Sequence, residues 1–90
     1  MTDKKLKKEN CVRSKKEKHT SLVLHNDDFN TFDFVIDSLV ELCGHDEMQA
    51  EQCAFIVHYK GKCEVMSGSI SELLAIYEEM KVRLLSVSLD

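Results

Sequence analysis

The chain reads as a small α+β domain in the order β-α-α-β-α-β, a three-stranded antiparallel sheet with its helices packed on one face. Three observations predict this. Ninety residues with 43% hydrophobic and 31% charged composition suit one globular unit. Three segments carry apolar residues at helical spacing, each opened by a capping residue. Two short β-prone segments flank these helices and a third lies between them, joined by turn-forming residues.

The elements follow in order. Residues 1–19 hold eight Lys/Arg against three Asp/Glu, with Leu6, Cys11 and Val12 isolated among the lysines. They are expected to form a disordered basic extension, with the folded domain spanning 20–90. Ser21–His25 is short and β-prone and runs into Asn26-Asp27-Asp28, a turn sequence, so it reads as the first strand. Asn30 can cap the next helix, with Asp33 at the box position. Phe32, Val35, Ile36, Leu39, Val40 and Cys43 then recur at helical spacing, and Gly44 ends the run.

Asp46 can cap a second helix, with Gln49 three residues on. Ala50, Cys53, Ala54 and Val57 form a stripe of small residues before His58 and the terminating Gly61. Cys63–Ser67 is the expected second strand. Ser69 and Glu72 make a full capping box for a third helix carrying Leu73, Leu74, Ile76, Tyr77 and Met80. Leu85, Val87 and Leu89 alternate with Ser86, Ser88 and Asp90 as a half-buried closing strand.

Charge and spacing narrow the function. Residues 20–90 carry four Lys/Arg and thirteen Asp/Glu, so the body is acidic and lacks the cationic face that phosphate binding needs. A nucleic-acid partner is not expected. The longest apolar runs, Cys53–Val57 and Leu73–Tyr77, are far too short for a membrane span, and no apolar segment follows the basic N-terminus as in a signal peptide. A cytoplasmic location is expected. The four cysteines show no C-x₂₋₄-C spacing, and His19 and His25, though separated by five residues, have no such cysteine pair to complete a site, so no metal or other cofactor is expected. The thiols read as reduced, small core residues.

Two segments could carry chemistry. Asn26-Asp27-Asp28 offers acceptors on a loop leaving a strand, and Val57-His58-Tyr59 places an imidazole at the end of the apolar second helix. If the helices fold back on one another, amide, carboxylate and imidazole meet on one rim, which suits a cation with several N–H donors, such as an ammonium group. Each motif also has a structural explanation: Asn-Asp is ordinary turn chemistry, and a helix C-terminus favours histidine. A hydrolase using Asp27 and His58 would need a nucleophile, and no G-x-S-x-G or similar setting exists.

These residues resemble the ClpS family of bacterial N-degron adaptors. The match lies in L-V-L-H-N-D-D-F-N-T-F-D-F-V-I-D-S-L from Leu22, then A-E-Q-C-A-F-I-V-H-Y-K-G-K from Ala50. The family fold is β-α-α-β-α-β and is similar to the ribosomal stalk protein C-terminal domain, so a stalk-like protein-binding module without a degron pocket is the alternative.

The resemblance implies a non-enzymatic adaptor. It binds proteins that begin with Leu, Phe, Tyr or Trp and passes them to a ClpA- or ClpC-type AAA+ unfoldase for degradation by ClpP. The unfoldase engages the N-terminal extension, and the free adaptor is expected to be monomeric. By the same resemblance, Asn26, Asp27 and His58 hold the α-amino group, and Asn30, Phe32, Val35, Ala54, Val57 and Leu84 form the hydrophobic pocket. Three positions depart from the family pattern: Asn30 stands where threonine is common, and Phe32 and Ala54 where methionine is. The last two imply a preference for aromatic first residues over leucine.

Overall fold

The computed structural model describes residues 19–90. The basic extension expected over 1–19 therefore lies outside the described residues except for His19, which already belongs to the first strand. The elements are β1 (His19–His25), α1 (Phe32–Cys43), α2 (Glu47–Lys60), β2 (Lys62–Ser69), α3 (Ile70–Val82) and β3 (Val87–Leu89). They form one antiparallel sheet in the order β2-β1-β3. No helix among the described residues is long and apolar enough to cross a membrane.

The expected order is realised, and most boundaries have local causes. Asp46 caps α2 by accepting from Gln49 N–H at 2.7 Å. Ser69 and Glu72 form the reciprocal box of α3, with Ser69 Oγ accepting from Glu72 N–H and Glu72 Oε1 from Ser69 N–H. A Cβ on Gly68 would sit 2.6 Å from that same Glu72 oxygen, so the glycine makes room for the box. β2 runs two residues beyond the expected Ser67 because pairing with β1 continues to His19↔Ser69.

One cap differs from expectation. Thr31, not Asn30, precedes α1, its Oγ1 accepting from Phe34 N–H at 3.1 Å. Asn30 has other partners, described below.

The core joins Leu22 and Leu24 of β1 to Leu39 of α1, Ala50 and Val57 of α2, Val65 of β2, Leu73 and Met80 of α3, and Leu85. Register shifts between Leu22 and Val23, leaving Val65 as the extra residue of a bulge. Its carbonyl accepts instead from Nε2 of the buried His45 at 2.8 Å. The small side chains of Ala50 and Ala54 let α2 approach its neighbours closely.

α3 ends in an unusual turn. Leu84 takes φ 66°, with its N–H on Lys81 O and the next N–H, of Leu85, on Met80 O. The left-handed region costs a non-glycine residue about 1–2 kcal/mol, while glycine would lose about 0.4–1 kcal/mol through the freer unfolded chain. Leu84 is 64% exposed and gives little burial in return. Leu84→Gly is therefore expected to raise Tm by about 2–5 °C, read by calorimetry. A fall in Tm would mean that the Leu84 side chain contributes packing that outweighs the strain.

Candidate functional site

The sheet ladder assembles the site. β1 and β2 pair as far as His25↔Lys62, and one residue on, Asn26 N–H donates to Gly61 O at 2.9 Å. Gly61 closes α2 in a left-handed conformation, with its own N–H on Val57 O. Backbone hydrogen bonds thus hold the start of the Asn-Asp-Asp loop beside the last turn of α2, where His58 stands.

The loop is organised by Asp27. Its Oδ1 accepts from Phe29 N–H at 2.9 Å and Asn30 N–H at 2.8 Å. Its Oδ2 accepts from Asn30 Nδ2 at 3.0 Å and Ser86 Oγ at 3.1 Å. Those four donors use about all the acceptor sites a carboxylate has. Burial alone would raise the Asp27 pKa, but these donors outweigh it and hold the carboxyl below its ordinary value of 3.8. Asp27 therefore brings a fixed negative charge to the rim, with its lone pairs already engaged. Asn26 and His58 differ: among the described residues no hydrogen bond engages the Asn26 side-chain amide or the His58 imidazole. Both keep open acceptor capacity.

These groups border a cavity of about 500 Å³. Its polar rim is Asn26, Asp27, Asp28, Asn30, His58 and Tyr59, and its apolar walls are Phe32, Val35, Ala54, Phe55 and Val57. Among the described residues no Lys or Arg lines it. An acidic, acceptor-rich rim over an apolar hollow attracts a cation attached to a hydrophobic group. A second hollow of about 30 Å³ shares Asn26, Asp27, Asn30, Val35 and Val57 with the main cavity and adds Leu24, His25 and Leu85.

Eight of the nine residues assigned from sequence line the main cavity; the ninth does not. Leu84 lies outside the lining, and Leu85, only 4% exposed, borders the second hollow instead. The left-handed turn at Leu84 is the cause, since it leaves that side chain in solvent and sends the next one into the core. Leu84 still serves the site through its carbonyl, which accepts from Asn30 Nδ2 at 2.9 Å.

Phe55, Tyr59 and Ser86 were not anticipated. Phe55 meets Phe32 edge-on at 5.0 Å between centroids and stacks nearly parallel on Tyr59 at 6.0 Å. Tyr59 in turn meets the His58 ring edge-on at 4.9 Å. A discernible signal existed: positions 55, 58 and 59 share a helical face, so these rings had to flank the histidine. Ser86 had none, because its contact with Asp27 spans the whole domain.

The described thiols, Cys43, Cys53 and Cys63, do not line the cavity. Burial pushes Cys43 up to about 11, and burial together with the adjacent Cys63 thiol pushes Cys53 up to about 12. Thiols so reluctant to ionise are poor nucleophiles at neutral pH.

Comparison with known proteins identifies the family. Residues 15–83 match the family described as ATP-dependent Clp protease adaptor protein ClpS. The ClpS adapter of Hydrogenovibrio crunogenus is 43% identical over 61 residues, covering 66% of this chain and 59% of that protein. The ClpS adapter of Pectobacterium carotovorum is 41% identical over 54 residues, covering 58% and 51%. The chain thus spans between half and three-fifths of the length of these curated relatives. Among solved structures, Agrobacterium tumefaciens ClpS2 bound to L-phenylalaninamide shares the fold at TM-score 0.69 and 18% identity, over 82% of this chain and 96% of that one. On its sequence profile and fold, this chain belongs to the ClpS family of Clp protease adaptors.

Proposed function

We propose that this chain is an N-degron adaptor: it binds the free first residue of proteins beginning with Leu, Phe, Tyr or Trp and presents them to a ClpA- or ClpC-type AAA+ unfoldase for degradation by ClpP. One observation carries the reading. Two unengaged acceptors, Asn26 and His58, sit beside the fixed charge of Asp27 at the mouth of an apolar cavity of about 500 Å³. An α-ammonium is the donor those groups fit, and a bulky side chain on the adjacent carbon enters the hollow. L-Phenylalaninamide, the molecule bound by the Agrobacterium relative, combines the same two features.

The magnitudes are compatible. Burying a Leu or Phe side chain contributes about 1.5–3 kcal/mol, and each charge-assisted hydrogen bond about 1.5–3 kcal/mol. Association and ordering oppose them with several kcal/mol, which leaves binding near the micromolar scale. Such a complex dissociates readily, as hand-over to an unfoldase requires. In this reading the free adaptor is a monomer, the basic N-terminal residues serve delivery and the domain serves recognition.

Fluorescence anisotropy with matched peptides tests the proposal. A Phe-first peptide is expected to bind about 10- to 100-fold tighter than its Ala-first copy. Leu-first should bind about two- to tenfold weaker than Phe-first, because the Phe32 and Phe55 rings offer edge and face contacts to an aromatic ligand and Ala54 leaves room for it. Equal binding of Phe and Ala would end the adaptor reading; tightest binding of Leu would end the aromatic preference alone.

A further inference from the structure

We infer that Tyr59 is a positioning residue for ammonium recognition: its ring, backed by Phe55, holds the His58 imidazole in the orientation that offers an acceptor to the rim. This rests on the N-degron reading of the same cavity.

His58 needs such support. Asp27 is fixed by four hydrogen bonds, and the Asn26 backbone is tied to Gly61 O. The imidazole has no comparable tether: it is exposed in the last turn of α2, and among the described residues no hydrogen bond reaches either ring nitrogen. An unrestrained imidazole there has about two or three χ1 wells and a roughly twofold χ2, hence about four to six orientations.

A row of rings supplies the restraint. The His58 ring meets Tyr59 edge-on, at 4.9 Å between centroids and 78° between planes. Consecutive helical residues do not ordinarily face each other, so this contact belongs to a particular pair of rotamers. Tyr59 is itself 75% exposed and is steadied by Phe55, which stacks on it at 6.0 Å and 11°. Phe55 in turn meets Phe32 at 5.0 Å. All four rings line the cavity, so the row runs from its apolar wall to the group that receives the ammonium.

The size of the effect follows from populations. Apparent affinity scales with the fraction of protein in the competent arrangement. An imidazole released from Tyr59 presents its acceptor about a quarter to a sixth of the time, and a modest aromatic contact recovers most of that factor. Any six-membered ring serves, since the Tyr59 hydroxyl takes no part in the contact.

A double-mutant cycle read by anisotropy with a Phe-first peptide provides the test. Tyr59→Leu is expected to weaken binding about three- to sixfold in the otherwise wild-type chain. In the His58→Ala background, where no imidazole remains to be oriented, it should change binding by less than about 1.5-fold. Tyr59→Phe keeps the ring and should recover the loss. Replacing a side chain this exposed leaves the core untouched, so fold damage does not confuse the comparison. An equal loss in both backgrounds would mean that Tyr59 touches the ligand or supports the loop directly. No loss in either, or a loss that Tyr59→Phe fails to recover, would mean that the ring does not hold the imidazole. Each of these overturns the inference and leaves the adaptor reading intact, whereas a Phe-first peptide that fails to bind the wild-type chain ends both.

Discussion

Acetylating the first residue of a Phe-first peptide is expected to weaken its binding at least a hundredfold. The ammonium brings a full positive charge and three donors to a rim holding the Asp27 carboxylate and the open acceptors of Asn26 and His58. Two charge-assisted hydrogen bonds contribute about 3–6 kcal/mol together, so their loss corresponds to roughly two to four decades in Kd. Acetylation removes the charge and two of the three donors, and it adds bulk where the loop and α2 are held together by Asn26 N–H on Gly61 O. The one amide N–H that remains keeps at most one neutral bond. Burial of the phenyl group is unchanged, which makes the comparison selective for the rim. Should the acetylated peptide bind within about fivefold of the free one, the rim is not an ammonium site and the cavity recognises side chains alone.

Asp27→Ala is expected to damage stability and binding together. Four donors lose their acceptor: the N–H groups of Phe29 and Asn30, Asn30 Nδ2 and Ser86 Oγ. The exposed ones find water; the part-buried ones do so less well. The cost is about 1–2 kcal/mol, or a Tm lower by about 5–15 °C. Peptide affinity should fall by at least about 30-fold, because the rim loses its charge and Asn30 loses one of its two anchors.

The stability difference between wild type and variant also depends on pH. The folded Asp27 carboxyl lies below 3.8, its ordinary value, so its contribution is complete above that pH and is lost as pH falls through the folded value. Denaturant titrations should show the full gap at pH 7 and a shrinking one below pH 4. A gap of constant size would mean that the loop is held by something other than the ionised carboxylate.

How much of this could be read from the chain differs element by element. The caps at Asp46 and Ser69 and the stops at Gly44 and Gly61 depend on residues within four positions of one another, and local pattern reveals them. Asn30 and Thr31 are both good capping residues, and nothing nearby chooses between them. The choice is made by Leu84 O, 54 positions away, which together with Asp27 Oδ2 takes both protons of the Asn30 amide and leaves Thr31 to cap. Similarly, the alternation of Leu85, Val87 and Leu89 marked the inward side of the last strand correctly. The placement of Leu84 depended on a left-handed turn that leucine ordinarily avoids.

The sequence by itself determined the order of elements, the apolar stripes that form the core, and which residue types could receive a cation. Those properties follow from periodicity and from side-chain chemistry, both of which are local. Only the tertiary structure decided that Asp27 spends its lone pairs on the loop, that Phe55 and Tyr59 wall the cavity, and that Leu85 rather than Leu84 faces inward. Each of these is settled by contacts between segments the chain keeps far apart, such as Ser86 with Asp27, and such contacts exist once the sheet has brought the ends of β1, α2 and α3 together.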